Sequence, residues 1–346
     1  MKNKSTISLQ LLNQAAGTSI ALGLGLALMT GVAAVSSAQT IIPTPTALFT
    51  FDDATAGTTL ATNTAITNSG TSDTSGAVWG NTIDVTANGI SGNGLTNFKT
   101  TFDNSGEIIT AASNASFATG ITNPLHSRSA TLSIWAKNPG TVTTQDRFVL
   151  FGVGNNGNGV NQGLQVWLGQ VDETGQRTLN VTLQTWYGGL GTWSSAPLTW
   201  DADAWYNVAL TWNNTTGAHG HVDLFLTKQT DTFGTPLLSF NSNDTTGSNS
   251  AGVTRDDGTG IANGSWVYFG GQGRQYNTGV LSGGGLGTAA IIDDAAAWIG
   301  TKLTAEELAA NFALHAITGN IPEPRTLAAL CGFAGLVAAI VIRRRR

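Results

Sequence analysis

Two pairs of adjacent aspartates stand far apart in the sequence, Asp52-Asp53 near the start of the central region and Asp293-Asp294 near its end. The first and last strands of a β-sandwich often lie side by side, which would bring four carboxylates together. Because Ca²⁺ prefers oxygen ligands, calcium is a candidate cofactor and these aspartates are candidate metal ligands. The competing interpretation, which we favour, is that they cap turns or hydrogen-bond the backbone of loops.

A glycine-rich stretch with three aromatic rings, from Trp186 to Trp193, offers a different chemistry. Flat apolar rings with polar edges suit the faces of sugars, so Trp186, Tyr187 and Trp193 are candidate sugar contacts. Alternatively, Trp186 and Trp193 flank a hairpin and pack across it. The sequence leaves both interpretations open. Three other tryptophans are expected in the core or in cross-strand pairs: Trp135, Trp205 and Trp212.

Patterns of catalytic residues do not stand out. Retaining glycosidases need two carboxylates about 5 Å apart. No strand of residues 47–318 supplies such a pair from the four glutamates of this block, which are Glu107, Glu173, Glu306 and Glu307. His219 and His221 have the spacing of a zinc pair on one strand face, but no third ligand is apparent and we favour a solvated turn. No Ser-His-Asp set, phosphate loop or cofactor fingerprint is present. We therefore expect a protein that is not an enzyme.

The first 38 residues have the features of a secretory signal peptide. Lys2 and Lys4 give a positive start, a run of apolar and small residues follows, and Ser36-Ser37-Ala38 provides the small residues that signal peptidase reads. We predict a signal helix within residues 1–38 that signal peptidase removes. An extended linker is predicted over residues 39–46.

Three features follow one another at the C-terminal end. A linker over residues 319–325 contains Pro322, Glu323 and Pro324, and residues 326–342 carry no charge. As a helix at ~1.5 Å per residue, this run would be ~25 Å long, enough for a thin hydrocarbon core. Cationic flanks stay in the cytoplasm. We therefore predict a transmembrane helix over 326–342, with the rest of the chain on the far side of the membrane from Arg343, Arg344, Arg345 and Arg346.

Residues 47–318 remain as one block of ordinary domain size. This block contains nine Lys and Arg against 20 Asp and Glu, a net charge of −11. An acidic domain argues against nucleic acid and against anionic membrane surfaces as partners. The only cysteine, Cys331, lies in the uncharged run near the C-terminus. The domain therefore has no disulfide and no cysteine metal site.

Short alternating runs separated by Gly, Asn and Thr turns indicate an all-β domain. Residues 163–169 and 179–183 form one predicted hairpin, and residues 205–212 and 221–227 form a second. A Thr-x-x-Glu capping box that begins at Thr304 predicts one short helix, which packs on a sheet edge or closes the structure. Many short strands joined by turns predict a two-sheet sandwich.

The triplet, the uncharged span and the basic cluster, in that order, resemble the PEP-CTERM sorting signal of exported bacterial proteins. The resemblance covers residues 321–346. It implies that an exosortase-type membrane peptidase cuts near Pro322-Glu323-Pro324 and releases or transfers the protein towards the cell surface or an extracellular polysaccharide matrix. If no such peptidase acts, the protein stays a single-span membrane protein.

Four segments of the central block resemble the LamG-like domains of the concanavalin A-like jelly-roll fold: residues 130–136, 203–212, 221–227 and 292–312. The Asp-Gly turn that usually follows the third segment is replaced by Lys228-Gln229. The resemblance implies a concanavalin A-like two-sheet jelly roll over residues 47–318, with one short helix at its C-terminal end. A fold of this kind does not by itself determine a function.

These observations together predict an exported protein whose lectin-like domain binds polysaccharide without catalysis. Its expected partners are signal peptidase, an exosortase-type membrane peptidase and a polysaccharide, and its expected destination is the cell surface or an extracellular matrix. One alternative is a structural matrix component or adhesin that binds protein or itself. A second alternative is a glycan-processing enzyme whose site is not recognisable from sequence.

Overall fold

A computed structural model describes residues 40–72, 75–80, 82–98, 115–122, 129–140, 147–154, 163–184, 190–213, 221–241, 266–271 and 286–318. The chain forms two compact units, 1–41 and 42–346, and every element below belongs to the second. Several predicted features lie outside the described residues: the signal peptide, Trp186, Tyr187, Pro322-Glu323-Pro324, the span 326–342 and the arginines Arg343 to Arg346. No helix within the described ranges is both long and apolar enough to cross a membrane.

The described residues form seventeen strands and one helix, α1 (Ala305–Thr318). The strands are β1 (Ala47–Phe49), β2 (Thr59–Leu60), β3 (Ala65–Ile66), β4 (Gly76–Gly80), β5 (Ile83–Thr86), β6 (Gly94–Thr96), β7 (Ala115–Thr122), β8 (Ser129–Lys137), β9 (Phe148–Gly154), β10 (Gly163–Leu168), β11 (Leu179–Gln184), β12 (Leu190–Ser194), β13 (Trp205–Asn213), β14 (His221–Lys228), β15 (Leu238–Asn241), β16 (Trp266–Phe269) and β17 (Ile291–Ile299).

The strands form two antiparallel sheets. Sheet A has the order β15-β14-β13-β8-β17-β6-β5-β2, with β1 paired to β17 beside β6. Sheet B has the order β12-β11-β10-β9-β16-β7-β4-β3. The expected all-β, two-sheet sandwich with one short helix is therefore confirmed. The finer assignment to a concanavalin A-like jelly roll stays a prediction.

The main core lies between the two sheets, as the alternating runs predicted. Both predicted hairpins are present: β10 and β11 pair with Leu164 opposite Leu183, and β13 and β14 pair with Val208 opposite Leu226. Alternate side chains of these strands point inward and are buried, because successive residues of a strand point to opposite faces. Trp212 belongs to this core.

A second apolar layer covers the outer face of sheet A. Helix α1 packs there, and Phe312 stacks on Trp135 of β8 with ring centroids 5.2 Å apart. The capping box is present: the backbone N–H of Thr304 donates to the Glu307 carboxylate, and the N–H of Glu307 donates to the Thr304 hydroxyl. The expectation of packing on a sheet edge is wrong, because Trp135 and Trp205 lie on central strands and give the helix a broad apolar face.

Candidate functional site

Trp193 is the described member of the predicted aromatic site, and its ring faces the interior of the sandwich. It lies on β12 at the edge of sheet B and stacks on Phe240 of β15 at the edge of sheet A, with centroids 3.9 Å apart and planes 10° from parallel. The side chain is half-buried and packs on the main core. One ring face is therefore already covered, and Trp193 joins the two sheets at one side of the sandwich.

Asp52 and Asp293, from the two predicted aspartate pairs, meet the same loop between β5 and β6. The Asp52 carboxylate accepts the backbone N–H of Asn93 at 2.9 Å, and the Asp293 carboxylate accepts that of Ser91 at 3.2 Å. The first and last parts of the domain are thus adjacent, as expected. Hydrogen bonding to loop backbone, which we favoured from the sequence, is what these two carboxylates do. Asp53 is exposed.

Asp293 and Asp294 are buried at a bulge of β17. Burial, followed by the neighbouring charge of Asp294, raises the pKa of Asp293 to about 8. The Asp294 carboxylate lies 2.7 Å from Nδ1 of His315 on α1. Within the residues that the structure describes, no group of three His, Cys, Asp or Glu side chains could hold a metal ion.

A set of interacting polar side chains lies elsewhere, on the outer face of sheet A beside its β15 edge. Pairing of β8, β13, β14 and β15 arranges eight polar residues in two parallel rows. One row consists of Thr131, Thr211, Asp223 and Ser239, and the other of Ser129, Asn213, His221 and Asn241. We call these residues, together with Lys302 from the segment before α1, the polar patch. Away from the patch, this face carries apolar side chains that pack with α1, together with the buried, hydrogen-bonded pair Ser133 and Asn207.

Hydrogen bonds connect the members of the polar patch. Asp223 accepts from Ser239 at 2.8 Å and pairs with Lys302 at 2.8 Å and with Nε2 of His221 at 2.9 Å. Nδ1 of His221 lies 3.1 Å from the Asn241 amide oxygen. The Thr211 side chain is buried beside Asp223, and its hydroxyl has no hydrogen-bond partner among the described residues.

The polar patch is accessible at its rim. Ser239 and Asn241 are exposed, and the side chain of His221 is 44% exposed, whereas that of Asp223 is only 13% exposed. Burial raises the pKa of Asp223, but the hydrogen bonds from Lys302 and Ser239 and the charges of Lys302 and His221 outweigh burial, so the pKa is lowered overall. The patch therefore combines an ionised carboxylate with hydroxyl, amide and imidazole groups.

Ser239, His221 and Asp223 are the residue types of a hydrolase triad, but their geometry differs. In such a triad the acid binds Nδ1 of the histidine and the serine binds Nε2. Here Nε2 of His221 faces both the Asp223 carboxylate and the Ser239 hydroxyl, at 2.9 and 3.1 Å. A proton on Nε2 that bonds Asp223 prevents the ring from accepting the proton of Ser239. The arrangement is suited to hydrogen bonding rather than to nucleophilic catalysis.

A second polar surface lies on the outer face of sheet B. Nε1 of Trp167 on β10 donates to the Thr182 hydroxyl at 2.9 Å, which lies 3.1 Å from the hydroxyl of Thr192 on β12. The Arg147 guanidinium lies 4.6 Å from the centre of the Trp167 ring. Thr182 and Asn180 point away from the core yet are buried. We call this surface the Trp167 recess: Arg147, Trp167, Asn180, Thr182, Thr192 and Ser194.

Sequence reasoning missed both surfaces, although a signal for the polar patch was present. Each of its four strands has two polar residues at positions i and i+2 at one end. The pairs are Ser129 and Thr131, Thr211 and Asn213, His221 and Asp223, and Ser239 and Asn241. Each pair alone looks like an ordinary solvated strand end. Only the pairing of the strands shows that the four pairs are adjacent.

No family model matches the chain, and no curated protein matches it. The resemblances to LamG-like domains and to the PEP-CTERM signal therefore rest on the residues quoted above.

Comparison with solved structures gives distant matches. The binding domain of botulinum neurotoxin serotype G is 11% identical over 75% of this chain and 51% of that chain, with a TM-score of 0.43. The Ruminococcus gnavus IT-sialidase CBM40 bound to α2,3-sialyllactose is 17% identical over 54% and 83%, with a TM-score of 0.32. The PL-14 alginate lyase from Aplysia kurodai is 11% identical over 64% and 89%, with a TM-score of 0.37.

This chain thus spans about half of the botulinum neurotoxin chain that it matches. With these identities and TM-scores, the three structures are only distantly similar to this chain. The two-sheet sandwich is established instead by the strand order and register of this chain itself.

Proposed function

We propose that the protein is an exported β-sandwich that binds polysaccharide through the polar patch, without catalysis, at the cell surface or in an extracellular matrix. The observation that carries this proposal is the pair of polar rows across β8, β13, β14 and β15. Adjacent strands lie about 4.8 Å apart and alternate residues about 7 Å apart, so the rows form a regular grid of donors and acceptors.

A saccharide is the ligand class that suits this grid. Every sugar hydroxyl can both donate and accept a hydrogen bond, and the rim of the patch offers both kinds of partner from Ser239, His221 and Asn241. The Asp223–Lys302 ion pair holds the carboxylate in place beneath them. Fixed polar groups of this kind supply orientation and specificity at ligand sites.

Export and sorting are the second part of the proposal. A signal peptide over residues 1–38 and a sorting tail over residues 319–346 would deliver the domain across the inner membrane, and an exosortase-type peptidase would cut near Pro322-Glu323-Pro324. The test is cell fractionation with the intact mass of the protein from its own host. A mass ending near the triplet, outside the inner membrane, is expected. A mass that retains Arg346 in the membrane pellet would mean that the tail is a permanent anchor.

The binding proposal is tested on a panel of neutral and acidic polysaccharides with the wild-type protein and the rim variants His221→Ala and Asn241→Ala. We expect each variant to bind the selected polymer at least tenfold more weakly at the patch. Asn88→Ala removes an exposed asparagine from a loop outside the patch and is the matched control. Wild-type affinity in both rim variants would exclude the patch as the site.

The rival function is a matrix scaffold or adhesin that binds protein or itself. In that case the panel would show no binding, and sedimentation would show concentration-dependent self-association. A glycan-processing enzyme would instead shorten the polymers during incubation, which size-exclusion chromatography would detect.

A further inference from the structure

We propose that the Trp167 recess is a second saccharide contact, so that one domain bridges two polysaccharide chains. This inference rests on the proposed function, since it assumes that the polar patch binds saccharide. The recess lies on the other sheet, and its residues come from β10, β11 and β12 and from Arg147, which precedes β9.

The recess consists of buried polar residues that support Trp167 and of an accessible rim. Asn180 and Thr182 point out of sheet B, because their neighbours Val181 and Leu183 point into the core. They are nevertheless at most 1% exposed. Thr192 and Ser194 at the rim are exposed, and Trp167 is half-buried. The accessible groups are thus the hydroxyls of Thr192 and Ser194 beside part of an aromatic ring, a combination that binds the polar edges and the apolar face of a sugar ring.

Trp167 is held in one orientation from two directions. Its Nε1 donates to Thr182, and the Arg147 guanidinium lies against its ring at a cation–π distance. A ring fixed in this way loses little side-chain entropy when a ligand binds. The experiment below has one arm for a neutral sugar and one for an acidic sugar.

The two surfaces face opposite directions. Leu164 and Val166 of β10 point into the main core, so Trp167 points out of sheet B. Val222 and Leu224 of β14 do the same in sheet A, so Asp223 points out on the other side. Both sheets, about 10 Å apart, lie between the surfaces. One sugar unit cannot touch both, and occupation of both requires two chains or two distant parts of one chain.

Stoichiometry gives the sharpest test. Isothermal titration of the protein with a neutral xylan hexamer and an acidic alginate hexamer would measure the number of sites and their affinities. Expected are two sites per chain in the wild type and one in Asn241→Ala. One site is also expected in Trp167→Ala and in Ser194→Tyr. The serine variant fills the rim of the recess and leaves the Trp167–Thr182 bond in place.

Each outcome decides a separate point. One site in the wild type that Asn241→Ala abolishes and Ser194→Tyr leaves unchanged would overturn the second contact and keep the proposed function. Two sites in the wild type, one lost in Asn241→Ala and the other lost in Ser194→Tyr, would support both the proposed function and the second contact. No binding of either hexamer by the wild type would remove the proposed function and this inference together. Circular dichroism of each variant checks that a lost site is not a lost fold.

Bridging itself is read from light scattering of the corresponding soluble polymers, xylan and alginate. Scattering should rise with added wild-type protein, pass a maximum and fall in excess, and should stay at baseline for either single-site variant. The molar mass of the free protein is measured alongside, because a dimer with one site would also bridge. Undiminished scattering with monomeric Ser194→Tyr would overturn the inference.

Discussion

Oδ2 of Asp294 and Nδ1 of His315 lie 2.7 Å apart and join strand β17 to the last turns of α1. Asp294 is buried and has a φ of 45°, and it follows Asp293 at the bulge where the register of β17 against β8 shifts. The stack of Phe312 on Trp135 lies in the same region. The contact of His315 with Asp294 and the stack of Phe312 on Trp135 thus both hold the end of α1 on sheet A.

His315→Ala should destabilise the domain by about 1–3 kcal/mol, because the buried Asp294 carboxylate loses its partner. Leu314→Ala is the control, since that neighbouring side chain is 52% exposed. Denaturant unfolding measures the change, and hydrogen exchange should show faster opening of the end of α1. Equal stability of the two variants would mean that the ion pair contributes nothing.

The stability of the domain should fall as pH rises from about 4 to about 8 through the titration of Asp293. Burial, and then the charge of Asp294, raises its folded pKa to about 8, whereas the unfolded value is about 3.9. Between these two pKa values, the unfolded state releases a proton that the folded state keeps. The contribution of Asp293 to stability is therefore complete below the unfolded pKa and is lost as pH rises through the folded pKa. Unfolding in urea at a series of pH values measures this slope.

Asp293→Ala should flatten that slope, whereas Asp52→Ala should retain it although its carboxylate bonds the same loop. Both variants lose a bond to the loop between β5 and β6, so the difference between them isolates the buried carboxyl. A wild-type slope in Asp293→Ala would assign the pH dependence to another group.

At the acid end the polar patch should dominate. The pKa of Asp223 is lowered, because the hydrogen bonds and charges of Lys302, Ser239 and His221 outweigh burial. Its contribution to stability is therefore present above the unfolded pKa and lost as pH falls through the folded one. Asp223→Asn should show a weaker loss of stability in acid than the wild type. Asp53→Asn changes an exposed aspartate and should behave like the wild type.

Gly191→Ala should loosen the side of the sandwich where Trp193 meets Phe240. A Cβ at Gly191 would overlap the six-membered ring of Trp193, and overpacking of this kind costs about 1–3 kcal/mol. Gly234→Ala is the matched control, because nothing lies within 4 Å of its added Cβ. Thermal unfolding followed by tryptophan fluorescence gives the comparison. A fully tolerated Gly191→Ala would show that the stack is not needed.

Addition of Ca²⁺ should leave the melting temperature unchanged. The carboxylates of Asp52 and Asp293 are already hydrogen-bonded to the backbone of one loop. A saturable rise that Asp293→Ala removes would instead establish the calcium site considered from the sequence.

Local patterns were enough to predict the two hairpins of the central strands and the start of the helix. The inward phase of β10, β11, β13 and β14 follows from alternation, and the capping box at Thr304 marks the start of α1, because both signals depend on residues close in sequence. The expected sandwich and the burial of Trp135, Trp205 and Trp212 follow from the same reasoning.

The surfaces depended on tertiary structure. Alternation tells that His221 and Ser239 point outward, but not that β14 and β15 bring them together, nor that Lys302 reaches Asp223 from the segment before α1. The sequence left Trp193 open as a sugar contact or as a packed residue beside a hairpin, and only the fold places Phe240 against its ring. A sequence determines the phase of each strand through local sterics, whereas the neighbours of a strand are decided by how all strands together bury their apolar faces.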